Sequence, residues 1–174
     1  MIQLFNNPLI LISVSSILFG FFTKLADLTN EHKRHFFRGD KIIFGILYGI
    51  FGSLTILQDE LLGAFYLAII LHWIIRKKID YPNHILAVVI ITVSFFSYSN
   101  LAKFELAFFS ITLILFLLSG LLKDKKIIRK TYFTDFNIYA FIFIILLIFF
   151  NREYTIVLIS YLLNTLFYSL AKKV

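Results

Sequence analysis

The sequence predicts an all-α, polytopic integral membrane protein of seven transmembrane helices, and three observations lead there. Hydrophobic residues make up 60% of the 174 and charged residues only 16%, with a mean hydropathy of +0.88. A soluble domain is closer to half apolar and a quarter charged, so this chain lacks the polar groups to cover an aqueous surface. Second, the apolar residues fall into seven separate stretches. A bilayer core of about 30 Å needs roughly 20 helical residues per crossing. Seven crossings therefore leave only short loops, and residues 1–174 form one helical domain with no separate soluble part. Third, the basic residues gather in alternate loops, as they do in membrane proteins whose cytoplasmic loops retain Lys and Arg.

The first stretch, Leu9 to Phe22, follows an N-terminus without charge; the first 23 residues hold no Lys, Arg, Asp or Glu. A cleavable signal would begin with a basic region, so this reads as a retained first helix. The second stretch, Ile42 to Leu57, carries Gly45, Gly49, Gly52 and Ser53 at small-xxx-small spacing, which lets a neighbouring backbone approach. The third, Leu61 to Ile75, offers Gly63, Ala64 and Ala68 in reply, separated from the second only by Gln58-Asp59-Glu60. A tight hairpin of these two helices is expected, with homodimerisation through Gly45, Gly49 and Gly52 as the alternative use of the same surface. The fourth, Ile85 to Tyr98, and the sixth, Ile138 to Phe150, reach crossing length only with the polar residues before them, Asp80 to His84 and Thr134 to Asn137. Five crossings are the alternative count. The fifth runs from Leu106 to Leu122 and the seventh from Tyr154 to Leu170, where Ser160 and Asn164 share a face suited to an interhelical hydrogen bond.

Charge placement orients the helices. If odd-numbered helices end in the cytoplasm, the inner loops and C-terminal tail hold 15 Lys and Arg, while the outer loops keep only Lys103 and Arg152. The expected location is the cell membrane, multi-pass, N-terminus outside and C-terminus in the cytoplasm. The net charge of +7 is then a record of topology and of contact with anionic membrane lipids, and no nucleic-acid partner is expected. The chain contains no Cys, which excludes disulfides, thiolate metal sites and cysteine nucleophiles.

The ten acidic residues divide by position. Asp40, Asp59, Glu60, Asp80, Glu105, Asp135 and Glu153 stand at the starts of helices two to seven, where unpaired N–H groups and the positive dipole end stabilise a carboxylate. Asp124, within Lys123-Asp124-Lys125-Lys126, reads as a solvated charge. Asp27 and Glu31 differ, because they follow the C-terminal end of the first apolar stretch, where the dipole disfavours an anion. Their i, i+4 spacing puts both on one face if that helix continues into the interface. The segment Lys24 to His32 is otherwise a solvated loop. An internal echo accompanies it: Lys24, Asp27 and Asn30 recur as Lys77, Asp80 and Asn83, 53 residues later, each set followed by a His. His72 lies four before Arg76, and Asp80 four before His84.

Carboxylates, amides and His beside Lys and Arg at headgroup level suit a phosphate or diphosphate, with hard oxygen ligands for Mg²⁺. Asp27, Glu31 and His84 are the candidate catalytic residues; Asp27, Glu31 and Asp80 are the candidate ligands of a Mg²⁺ ion. Lys24, Asn30, Arg76, Lys77 and Asn83 are the candidates for substrate binding. Asp27 with Asn30-Glu31 is similar in residue type, though not in spacing, to the aspartate-rich Mg²⁺-diphosphate loops of the UbiA-type prenyltransferases, whose nine-helix architecture is longer than this chain. No nucleophile elbow, H-E-x-x-H, Walker loop or G-x-G-x-x-G occurs. The expected function is a small membrane enzyme of lipid or isoprenoid-phosphate metabolism. A small-solute or ion transporter and a non-catalytic subunit of a membrane complex are the alternatives.

Overall fold

The computed structural model describes residues 7–31, 33–99, 103–125 and 138–173. Among these the chain is all helical, with seven α-helices: α1 Pro8–Glu31, α2 Asp40–Ile56, α3 Glu60–Ile75, α4 Pro82–Tyr98, α5 Leu106–Asp124, α6 Ile138–Phe150 and α7 Thr155–Leu170. Three helical stretches, Pro8–Asn30, Leu106–Asp124 and Arg152–Lys173, are long and apolar enough to cross a membrane.

The helices turn their apolar side chains outward as well as inward. Ile42, Ile46, Ile50 and Leu54 on α2, Ile85, Val89 and Val93 on α4, and Ile142 and Leu146 on α6 form exposed stripes at four-residue spacing. Small hydroxyls sit inside instead. Ser16 on α1 and Tyr66 on α3 both hydrogen-bond the Ser160 hydroxyl on α7, and Thr55 on α2 donates to Ser15 on α1. This is the distribution expected where the solvent is apolar and helix association rests on packing and internal hydrogen bonds. Ser160 thus makes the interhelical bonds its position predicts.

At the centre α1 packs on α2 and α7, while α2 packs on α4 and α3 on α5. The α1–α7 crossing is close because Gly20 has no side chain: a Cβ there would stand 2.0 Å from the Asn164 carbonyl oxygen. The second-helix glycines serve a different neighbour from the one expected. A Cβ on Gly45 would meet Asn83, on Gly49 Ile90, and on Gly52 Ile91, so the glycine face holds α4 of the same chain rather than α3. Small-xxx-small spacing announces close approach without naming the partner, and the α2–α3 contact lies near the turn, where Gly63 comes close to the Ile56 carbonyl. There Asp59 accepts N–H bonds from Leu61 and Leu62.

Two further expectations change. α1 runs nine residues past Phe22, through the polar segment to Glu31, because α4 and α7 cover that extension. Lys24, Asp27 and Thr29 are buried rather than solvated. Asp80, expected to cap α4, is exposed; the cap position is Tyr81, without a side-chain bond. Pro82 removes one donor from the first turn and Asn83 Oδ1 accepts the His84 amide, so the turn is satisfied without a carboxylate. At α2, by contrast, Asp40 accepts the amides of Phe36 and Lys41 and folds the preceding loop back on the helix. Gly39 allows that loop to enter the helix at φ 87°, in the left-handed region. Asp135 lies outside the described residues.

Candidate functional site

Because successive helices alternate in direction, the ends of α1, α3, α5 and α7 and the starts of α2 and α4 meet at one end of the bundle. A cavity of about 330 Å³ opens there. Its inner part is apolar and aromatic, with Phe19, Ile69, Ile70 and Phe116; towards the mouth come Asp27, His84, Arg76, Lys78, Lys123 and Tyr168.

One wall belongs to α1, α4 and α7. The α1 extension carries Asp27 and Asn30 one turn apart, opposite Asn83 and His84 in the first turn of α4. His84 Nε2 stands 3.2 Å from Asp27 Oδ1. The second carboxylate oxygen accepts the Tyr168 hydroxyl, and Lys24 Nζ lies 3.8 Å from it. Lys24 also reaches the Tyr168 hydroxyl at 3.5 Å and sits over its ring. The docking of α1 on α4 is made by Asn83, which donates to the Ala26 carbonyl at 3.1 Å and accepts from Asn30. The His84 ring is held edge-on to Tyr48 at 5.9 Å between centroids. Asp27 is therefore buried with both oxygens engaged, and His84 has one nitrogen fixed on it. In the neutral ring that nitrogen carries the proton, which leaves a lone pair on Nδ1.

The facing wall belongs to α3 and α5. His72 Nδ1 bonds the Ile69 carbonyl at 2.8 Å, which makes it the protonated nitrogen and leaves Nε2 to accept from Arg76 Nη1 at 3.0 Å. Arg76 also places Nη2 2.8 Å and Nε 3.1 Å from Asp124 Oδ2, while Lys78 Nζ holds the other oxygen at 3.3 Å. Asp124 is exposed, as expected of a solvated charge, but it is also paired, and it ties the end of α5 to the end of α3. Arg76, Lys78 and Lys123 and one carboxylate, Asp27, line the cavity, with Asp124 paired to Arg76 and Lys78 beside it.

Of the residues chosen from the sequence, Lys24, Asp27, Asn30, Asn83 and His84 form one connected network and Arg76 faces it. Lys77 and Asp80 are exposed and do not line the cavity. The Glu31 side chain lies outside the described ones. The echo is realised at one position: Asn30 meets Asn83, whereas Lys77 and Asp80 have no part corresponding to Lys24 and Asp27. Among the described residues, no three His, Asp or Glu side chains gather as a metal site. Sequence reasoning marked Asn164 on α7 for an interhelical bond and missed the rest of the α7 contribution. Tyr161, Asn164, Thr165 and Tyr168 all line the cavity, and their i, i+3, i+4, i+7 spacing was the available signal. Comparison with known families, characterised proteins and solved structures finds no match.

Proposed function

We propose that this chain is a multi-pass membrane enzyme acting on an amphiphilic phosphate, acyl or prenyl, at the cytoplasmic end of seven spans. The observation that carries the reading is the Asp27–His84 pair at the mouth of a cavity whose floor is apolar and whose rim is cationic. An amphiphile matches both halves: its chain lies against Phe19, Ile69 and Phe116, and its head meets the charged rim. The division of 15 basic residues to 2 supports the orientation, because one crossing more or fewer would invert every later loop.

In this reading His84 is the general base and acid. Asp27 orients the ring through Nε2–H and stabilises the imidazolium once Nδ1 has taken a proton from the attacking hydroxyl or water; as the new P–O bond forms, the P–O bond to the leaving group breaks and the imidazolium returns the proton to the leaving oxygen. Tyr168 and Lys24 hold the other Asp27 oxygen, so the carboxylate keeps its position through the cycle. A Mg²⁺ ion bound with a diphosphate head would need an Asp27 oxygen now given to His84 or Tyr168, which places the dyad ahead of the metal role. The test is ³¹P NMR of the purified protein with a panel of acyl and prenyl phosphates, with and without Mg²⁺. Turnover of at least one, lost in Asp27→Asn and His84→Ala, is expected; inertness toward the whole panel contradicts the reading.

A further inference from the structure

We infer that Arg76 is the residue that recognises the phosphate of the ligand, held ready for it by His72, Asp124 and a slot at Gly120. This rests on the cavity being a ligand site, as proposed above, but not on its being catalytic. A guanidinium has five N–H donors in a fixed plane. His72 Nε2 takes one from Nη1, and Asp124 Oδ2 takes those of Nε and Nη2. One hydrogen remains on each Nη, on a side chain that lines the cavity. With these two hydrogens the planar guanidinium can still donate to two oxygens of a phosphate. Lys78 and Lys123 line the same cavity and add charge for a multiply anionic head.

The slot is the independent observation. A Cβ at Gly120 would stand 2.3 Å from Arg76 Nη1, 2.5 Å from Cζ and 2.7 Å from Nε, so the guanidinium lies flat on the bare backbone of α5. The slot lets the guanidinium reach Asp124 on the same helix and fixes the angle at which its remaining donors meet the cavity. His72 and Asp124 are positioning residues here, since each acts through Arg76.

The chain supplies its own probe. Trp73, its single tryptophan, lines the cavity beside His72. The protein in nonionic detergent is titrated with decyl phosphate, decanol and inorganic phosphate, following Trp73 fluorescence, for wild type, Arg76→Lys and Gly120→Ala. Saturable binding of decyl phosphate but not decanol is expected, weakened about tenfold or more in both variants. Lysine keeps the charge and loses the fork; Gly120→Ala keeps the arginine and loses its place, and the protein stays folded because alanine favours the helix and offsets part of what the displaced, partly exposed Arg76–Asp124 pair loses. If inorganic phosphate competes, the site takes a free phosphate; if it does not, the ligand is a lipid; both sustain the assignment. Equal binding of decanol and decyl phosphate, or unchanged decyl phosphate affinity in a folded Gly120→Ala, overturns it. Phosphate-selective binding without turnover on any substrate would remove the enzyme reading and leave Arg76 as the receptor.

Discussion

The two walls of the cavity use the same residue type in opposite ways. On the α1–α4–α7 wall the Asp27 side chain is 12% exposed and divides its oxygens among His84, Tyr168 and Lys24. On the α3–α5 wall the Asp124 side chain is 41% exposed and gives both oxygens to Arg76 and Lys78. The buried carboxylate controls a group that can exchange a proton; the exposed one fixes a cation that cannot. One wall holds a group that can exchange a proton and the other holds fixed charge, and the cavity lies between them.

This division makes graded predictions. Substitution on the proton-exchanging wall gives the largest effect: Asp27→Asn or His84→Ala lowers turnover by about 10²- to 10⁴-fold in the ³¹P assay, with the fold retained by circular dichroism. The Gly20 and Gly120 sites then separate backbone from side-chain contact. Gly20→Ala meets the Asn164 backbone, which cannot rotate away, and is expected to cost about 1–3 kcal/mol in a detergent unfolding titration. At Gly120 the obstacle is the flexible end of Arg76, which can move aside, and the loss is smaller. Asn83→Ala removes the bonds to Asn30, Ala26 and the His84 amide, for a loss of about 1–3 kcal/mol together with reduced turnover, because His84 loses its seat. Ser160→Ala, away from either wall, removes two interhelical hydrogen bonds and costs about 1 kcal/mol, at about 0.6 kcal/mol for each such bond. Asp80→Asn, exposed and outside the site, changes stability by less than about 0.5 kcal/mol and leaves turnover unaltered.

How far the sequence carried depends on which physics each feature obeys. Helix positions follow composition, so the apolar stretch Leu106 to Leu122 reappears as Leu106–Asp124 and Leu61 to Ile75 as Glu60–Ile75. The α1 extension is different: Lys24 to Glu31 has only Leu25, Ala26 and Leu28 among its polar residues, too few to mark a span, yet these three are buried and the segment packs on α4 and α7. Asp27 stood out before the structure because a carboxylate at the C-terminal end of a helix opposes the dipole. Its partners did not, since Tyr168 is 141 residues away and nothing local marks it. The same limit applies to Asp124, whose lysine-rich neighbourhood hides a partner on another helix, and to Gly45 and Gly49, whose spacing fits any close neighbour.

The claim at the centre is that Asp27 and His84 act as a unit, and a double-mutant cycle on turnover of the phosphate amphiphile tests it most directly. Groups that act together are not additive. Asp27→Asn/His84→Ala is predicted to turn over no more slowly than His84→Ala alone. Losses that multiply, each substitution keeping its full effect in the presence of the other, would contradict the pairing.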